Sequence, residues 1–556
     1  MAKVEFDIVI VTFNSLRWVD GCIKSIEKQK NFDLKNINLY FVDNCSTDKT
    51  ISRLEWWKKR NKFGSFTIVK NKDNLGFGKA NNIGFSHGSS KYVFFLNHDT
   101  ELSESALFQM EQNILSSSKN YAVWEFRQQP YEHPKIYNPI TGETSWCSGA
   151  CVIVLRKVFE KVGGFDEKIF MYAEDVDLSW HIRLEGYKLR YVSSATLTHY
   201  CYESAGETKP IQFYNSIINN LNLRLKYGSL KDVLRWIKYF LNILRSQLDK
   251  KLSKWTLILY FVKNIPLLPH FIFWRFRDGR LKKIKVFEPH FILFDYETTR
   301  LGAFVPNDEK LSKHPLVSVL IRTCNRPAVL REALISVRNQ TYKNIEVVVV
   351  EDGKNSSEKM IKKEFGDLNI IYKATEKKVG RCKAGNIALE LASGMYLNFL
   401  DDDDAFFNDH IETLLRVFQD NKSCNLVYSA AFEAKVDTVS EHPRYEYYIK
   451  GFNNLFNCPF KQRRLLTSNL FPIQAVMFKK TIFKKYGGFD IELDNLEDWE
   501  FWARISFKES FIPIGKTTSV FKTPANPDEY IERGKNLENY YLIAKRKIKN
   551  RALSIS

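Results

Sequence analysis

The sequence predicts an α/β protein with two open, doubly wound and mostly parallel sheets, one in each half of the chain, and a basic helical stretch between them. Three observations carry that expectation. Short β-branched runs ending in polar turns alternate with segments of helical apolar period, the pattern of βαβ units. The pattern restarts at Pro315 after running once from Phe6. Finally, Gly163-Gly164-Phe165-Asp166 followed by Glu174-Asp175-Val176-Asp177 returns as Gly487-Gly488-Phe489-Asp490 followed by Glu497-Asp498-Trp499-Glu500.

A chain of 556 residues is too long for one core, and 44% hydrophobic with 26% charged residues is the composition of a soluble globular protein. Nine scattered cysteines, of which only Cys147 and Cys151 are closely spaced, point to reduced thiols in the cytosol rather than a disulfide frame or a zinc site. Glu5 and Asp7 stand where a signal peptide would have its apolar core, so export is not expected. Net charge is +19, and Arg224 to Lys285 holds sixteen Lys or Arg against three Asp, thirteen of those nineteen charges. Such an excess suits an anionic partner, membrane lipid or nucleic acid, or else a solvated linker face.

Taken in order, Phe6 to Asn14 reads as a buried strand and its loop, Trp18 to Gln29 as a helix, and Ile37 to Val42 as a second strand ending at Asp43 and Asn44. Thr50 to Lys59 resumes helical character and Ser65 to Val69 is a third strand. In such sheets ligands bind beyond the carboxyl ends of the strands, which puts Thr12, Asn14, Asp43 and Asn44 on one rim. Gly76-Phe77-Gly78-Lys79 lacks the remaining parts of a dinucleotide or P-loop fingerprint and reads as a turn feeding a helix from Ala80. Lys91 to Leu96 is a strand running into Asn97-His98-Asp99, whose oxygens suit Mg²⁺ or Mn²⁺, although an Asn-x-Asp also serves as a turn or cap. Trp146 to Leu155 is another apolar strand. In the repeated motif the glycine pair turns the backbone onto carboxylates beside large apolar residues, where burial would raise a carboxylate toward a working base. Acidic residues also favour a helix's first turn without any function, and the duplication is what weighs toward chemistry. His199 closes a strand behind this cluster, where its imidazole could complete a metal shell.

From Leu230 to Leu248 apolar residues recur at helical spacing with basic residues opposite, an amphipathic helix. Trp255 to Trp274 is the most apolar run, but Lys263, Pro266, Pro269 and His270 interrupt it, which favours a segment in the headgroup layer over a spanning helix. Packing of these helices on the globular parts is the alternative. In the second half, Leu316 to Pro327 repeats the first strand and loop, Ile345 to Val350 ends at Glu351-Asp352-Gly353, and Val379 to Asn386 echoes the glycine loop. Tyr396 to Leu400 then runs into Asp401-Asp402-Asp403-Asp404, four carboxylates that repel unless a cation or solvent neutralises them. Tyr121 to Thr144 and Ala434 to Leu466 carry no legible pattern.

The order of segments resembles the inverting GT-A glycosyltransferases of family 2. Residues 5 to 205 are similar to rhamnosyl- and galactofuranosyltransferase-like bacterial members through Thr12-x-Asn14, Val42 to Asp48, the Asn-x-Gly-Phe loop, Leu96-Asn97-x-Asp99, Gly163 to Glu167, Glu174 to Leu178 and His199. Residues 315 to 525 look nearer to polysaccharide-synthase-like members, with Asp401-x-Asp403 and Glu497-Asp498. His98 stands where proline is usual, and no histidine follows Asp498, where Ser519 to Lys522 stands instead and Lys522 could contact diphosphate.

The resemblance implies GT-A, Rossmann-like domains at 1–225 and 313–556 with a basic helical connector at 226–312. Each half would bind a nucleotide-diphosphate sugar, through Thr12, Asn14, Asp43, Asn44, Lys79 and Asn97 in the first and Thr323, Asn325, Asp352, Arg381, Asn386 and Asp402 in the second. Mn²⁺ or Mg²⁺ would sit on Asp99 and His199, or on Asp401 and Asp403. Asp175 and Asp498, with Glu174 and Glu497 beside them, would take the acceptor proton. The implied acceptor is a growing bacterial glycan of O-antigen or capsule type, lipid-linked, met at the cytoplasmic face of the membrane by a peripheral protein. A single catalytic half with an acceptor-binding partner half is one rival; a nucleic-acid-binding protein is another, though no nucleic acid is expected because it leaves the paired carboxylates unexplained.

Overall fold

A computed structural model describes residues 4–201, 207, 209–287, 300–302, 305, 311–455 and 457–555. Of the stretch expected to connect the halves, residues 288–299, 303–304 and 306–310 lie outside the described residues. The chain forms two compact units, 1–137 with 142–299 and 138–141 with 300–556.

The first unit opens with β1 (Phe6–Thr12), α1 (Leu16–Glu27), β2 (Ile37–Asp43), α2 (Thr50–Lys58), β3 (Ser65–Lys70), α3 (Phe77–Ser86) and β4 (Tyr92–Leu96). There follow β5 (Thr100–Leu102), α4 (Ala106–Ser116), β6 (Tyr121–Gln129), β7 (Glu143–Thr144), β8 (Cys151–Leu155), α5 (Arg156–Val162), α6 (Glu174–Leu184) and β9 (Lys188–His199). They make one sheet in the order β3-β2-β1-β4-β8-β6-β9-β5, with β7 on β9. Pairing is parallel across β3-β2-β1-β4 and again between β6 and β9, and antiparallel elsewhere. The sheet is therefore mixed: crossover helices return the chain in one direction as far as β4, and the later strands arrive by other routes. Phe6, Ile8, Val9 and Ile10 of β1 are fully buried, as a central strand covered on both faces must be. Strand order reverses between β1 and β4, so the carboxyl ends of β1, β2 and β4 open onto one crevice.

The helices expected between the halves belong to this first unit. These are α7 (Pro210–Tyr227), α8 (Leu230–Arg245), α9 (Lys254–Asn264), α10 (Leu268–Trp274) and α11 (Arg280–Phe287). Tyr227 and Trp274 pack with Val176 and Trp180 of α6, while Trp236, Phe240 and Leu257 close on α7 through Tyr214, Ile217 and Leu221. Lys254–Trp274 is long and apolar enough to cross a membrane by length and composition.

The second unit repeats the plan. Its elements are β10 (Val317–Thr323), α12 (Pro327–Arg338), β11 (Ile345–Glu351), α13 (Glu358–Glu364), β12 (Asn369–Ala374), α14 (Arg381–Leu391), β13 (Tyr396–Asp401), β14 (Ala405–Phe406) and α15 (His410–Asp420). Then come β15 (Leu426–Ser440), β16 (Glu446–Leu455), α16 (Gln462–Leu465), β17 (Val476–Lys479), α17 (Lys480–Tyr486), α18 (Glu497–Ser506), β18 (Phe511–Pro524) and α19 (Pro527–Ile555). The order β12-β11-β10-β13-β17-β15-β18-β14 matches the first sheet position by position, with β16 added on β15.

Candidate active site

Each repeated motif is held by one asparagine. Asn82 of α3 donates to the Phe165 carbonyl at 2.9 Å and accepts from its amide at 3.0 Å; Asn386 of α14 does the same to Phe489 at 3.0 and 2.7 Å. A Cβ on Gly164 or Gly488 would lie 2.6 or 2.1 Å from that amide oxygen, so the second glycine of each pair is there for close approach. Asn386, expected among the donor contacts, thus spends both polar ends as a latch.

Beyond the latch the backbone bends into a helix start. Ala173 (φ 73°) and Leu496 (φ 60°) precede the carboxylate pairs in left-handed conformation, strain of about 1–3 kcal/mol for a non-glycine residue that the packing of α6 and α18 must offset. Asp175 accepts from the Gly149 amide at 3.0 Å and from the Val176 amide at 2.8 Å. Asp498 accepts from Asn469 Nδ2 at 2.9 Å and the Trp499 amide at 2.7 Å. Burial pushes the Asp175 carboxyl above its ordinary value. Burial and then the neighbouring Glu497 push Asp498 up to about 7. Both aspartates are therefore oriented carboxyls with raised values, and Asp498 at about 7 is poised near neutrality.

Their neighbours differ between the halves. Glu174 is driven well up by burial and by Asp175, and its Oε2 is buried without a hydrogen bond. Glu497 instead accepts from Arg322 Nη1 at 2.7 Å, with Arg381 Nη1 at 3.9 Å. The other arm of Arg322 holds Asp401 at 2.6 Å. Val11 occupies the corresponding place in β1, one residue before Thr12 as Arg322 is before Thr323.

On the first rim, Thr12 donates to Asp43 at 3.0 Å, and Asp43 also accepts from the Ser46 amide and hydroxyl. Asn14 is left-handed (φ 50°), and its side chain accepts from the Thr47 amide at 2.8 Å. Asn44 Nδ2 donates to the Gly76 carbonyl at 3.1 Å and so ties the β2 loop to the glycine turn. Lys79 is partly exposed and lies 3.8 Å from Glu167. The Asn97 carbonyl accepts from Thr100, and its amide donates to Ala150. Burial alone would raise the Asp99 carboxyl, but His199 and His98 bring it below the usual range.

His199 Nδ1 lies 2.7 Å from Gln128 Oε1, so the ring donates there and turns Nε2 toward Asp99 Oδ1, 3.4 Å away. Asp99 Oδ1 is itself buried without a hydrogen bond. A carboxylate oxygen and an imidazole nitrogen at this distance can share a proton or a cation, and carboxylate plus imidazole is a donor set that fits Mn²⁺. No group of three or more His, Cys, Asp or Glu is arranged to hold a metal among the described residues, so water and diphosphate oxygens would have to supply the remaining ligands.

The second rim fits a metal less well. Thr323 donates to Asp402 at 2.7 Å, Arg326 also binds Asp402, and Arg326 Nη1 is 3.7 Å from Asp403. Burial and then Asp403 push Asp402 up to about 7, and burial drives Asp404 well up. Asp401 and Asp403, expected as metal ligands, are thus already met by guanidinium groups. In register, Thr323 pairs with Glu351 as Thr12 pairs with Asp43, so the counterpart of Asp43 is Glu351 rather than Asp352. Glu351 accepts from Asn325, Ser356, Ser357 and Tyr372, while Asp352 accepts from the Val379 and Gly380 amides at 2.6 and 3.1 Å. Lys522 lies 3.0 Å from Glu332 and over the Tyr447 ring.

Two contributors were not expected. Glu125 and Lys135 form a buried pair; Glu125 also accepts from the Ser148 amide at 3.1 Å, and the Lys135 charge bears on Asp175. Lys226 of α7, 1% exposed, bridges Asp166 at 2.8 Å and Asp177 at 2.7 Å. A buried lysine needs such partners, but nothing in the sequence says where they lie.

The family described as Glycosyl transferase family 2 matches residues 7–163 and 318–487, more than half of the chain and both sheets. The chain belongs to that family. Similar proteins include an uncharacterized glycosyltransferase of Haemophilus influenzae, 28% identical over 204 residues, covering 36% of this family 2 chain and 64% of that relative. An uncharacterized glycosyltransferase of Rickettsia felis is 23% identical over 564 residues, covering 96% of this chain and 83% of its own. Among solved structures, a mannosyltransferase from Pyrobaculum calidifontis in complex with GDP-Man and Mn²⁺ aligns with TM-score 0.33 at 14% identity over 54% of this chain and 83% of that one.

Proposed function

We propose that this family 2 chain is an inverting transferase that moves sugars from nucleotide-diphosphate donors onto a hydroxyl of a growing, lipid-linked bacterial surface glycan, with one transfer site in each half. The observation that carries the reading is the twin helix start. In each unit an anchored, half-buried aspartate with a raised pKa stands at the sheet rim behind a strained residue and a glycine latch. Asp175 or Asp498 takes the acceptor O–H proton as that oxygen bonds to the anomeric carbon. The bond from carbon to diphosphate breaks, its electron pair leaves with the nucleotide, and the centre inverts. In the first half a divalent ion on Asp99 and His199 would offset the charge of the leaving diphosphate. In the second, Arg322 and Arg326 bring two positive charges to the corresponding acidic turn.

A second reading keeps only the first half catalytic and gives the second half to the acceptor. It is favoured by the arginine clamp on Asp401, Asp402 and Glu497, which has no counterpart among the described residues of the first unit. A panel of nucleotide sugars assayed by product mass with Asp175→Asn and Asp498→Asn separates the readings. Two active halves lose different transfers, at least about a hundredfold each, as removal of a general base does. If neither substitution changes any transfer, both readings fail.

A further inference from the structure

We infer that the outward faces of α8 and of the α9–α10 helix form a docking surface for an anionic lipid bilayer. This goes beyond sugar transfer and holds whether or not either half transfers a sugar. The two elements pack side by side through Trp236, Phe240 and Phe261, and their inner residues close on α7. Their outer residues are apolar as well. On α8, Leu230, Leu234, Ile237 and Leu241 recur at helical spacing, all exposed, with Leu230 at 74%. Along Lys254–Trp274 and just past it, Trp255, Leu259, Val262, Phe273 and Phe276 share the face opposite the buried Leu257, Asn264 and Phe271, with Trp255 77% and Phe273 65% exposed. Pro266 and Pro269 are exposed between them. A stripe of this length on a soluble unit marks an interaction site.

Charge selects the partner. Lys231, Arg235, Lys238 and Arg245 lie along one edge of the α8 stripe, and Lys254, Lys263 and Arg277 lie beside and beyond the other, all exposed. A second copy of this chain would bring the same basic edges and repel. A nucleic acid would meet the basic edges but leave the apolar stripe in water. A bilayer of anionic lipid takes both, apolar side chains between the acyl chains and ammonium groups among the phosphates. The helix lies in the interface rather than crossing it, because its inner face is committed: Asn264 exchanges hydrogen bonds with Asn222 of α7 at 2.9 and 3.1 Å, and Leu257 and Phe271 are fully buried.

The full chain is tested by co-sedimentation with vesicles of phosphatidylcholine alone or with 30% phosphatidylglycerol, beside the variant Leu234→Ser/Trp255→Ser/Phe273→Ser. These three side chains are exposed, so the variant keeps its melting temperature. The expected result is binding to the anionic vesicles at least tenfold stronger than to neutral ones, weakened by 0.5 M salt, and reduced at least tenfold in the variant. Equal binding by parent and variant, or none by either, overturns the inference. So does resistance of the parent to alkaline extraction, which would mean a spanning helix, or a parent dimer in light scattering that the variant abolishes, which would mean a self-interface.

Discussion

Replacing Arg322 with methionine removes the side chain whose two arms bond Asp401 and Glu497, and leaves Glu497 only the more distant Arg381 at 3.9 Å. Arg322 is buried, and its two arms meet these carboxylates at 2.6 and 2.7 Å. Breaking a buried ion pair by deleting one partner costs about 3–5 kcal/mol, because the other charge stays out of water. Glu497, 4% exposed, bears that cost, whereas Asp401 at 32% can take up water, so the second unit should lose about 3–5 kcal/mol. The loss also reaches the base. The Asp498 carboxyl, pushed up to about 7 by burial and Glu497, is held down in part by Arg322. A base works ionised, so transfer by the second half rises as pH passes upward through about 7 in the native chain. Without Arg322 the half-maximal rate moves to higher pH. Differential scanning calorimetry of the full chain, which resolves a unit that melts early, and a pH–rate profile from pH 5.5 to 9 measure both effects. Arg322→Lys keeps the charge but not the fork, and should recover the profile more than the stability. An unmoved profile together with an unchanged melt would refute the assignment of Arg322 as the counter-charge of this cleft.

Asn82→Ala and Asn386→Ala each remove two hydrogen bonds to a latched phenylalanine, and should each cost about 2 kcal/mol in the melting of their own unit. Lys226→Met removes the ammonium group that Asp166 and Asp177 share and leaves them His270 and the Tyr227 hydroxyl, which should cost about 3 kcal/mol and lower the first unit's melting temperature. Manganese titration followed by electron paramagnetic resonance, with nucleoside diphosphate present, should show at least tenfold weaker binding in Asp99→Asn and in His199→Ala. Gln128→Leu should weaken binding less, because it frees the imidazole tautomer without deleting a ligand.

The parallel strands and the rim they make were legible because a central strand covered on both faces is a short, largely apolar run, and Phe6 to Thr12 and Val317 to Thr323 are such runs despite Asp7, Ser318 and Arg322. The latched motif was legible because its glycines and carboxylates repeat. What stayed hidden lies where a strand carries charge inward. The β6 strand, Tyr121–Gln129, sits mid-sheet but holds Glu125 and Arg127, whose partners Lys135 and Glu132 come from the loop after it. Those charges erase the apolar run, and the pairing that excuses them is tertiary. The long β15 and β16 strands, within or next to the unread Ala434 to Leu466 stretch, were missed because their alternation is broken by Lys, Asp and Asn facing solvent or each other. Glu351 was passed over for Asp352 because neighbouring acids at a strand end are told apart only by register against β10. The arginine clamp was invisible for the same reason: Arg322 and Glu497 are far apart in sequence and meet only when β10 and α18 fold onto one rim.

Lys226 lies one residue beyond 225, where the resemblance to family 2 ends the first domain. A fragment stopped there would keep every strand of the first sheet and every residue of its acidic helix start, yet lack the ammonium group that Asp166 and Asp177 share. Anyone cutting this protein into separately expressed pieces should therefore end the first one after the last of the helices that follow β9, since its shortest plausible version would be missing its own internal counterion.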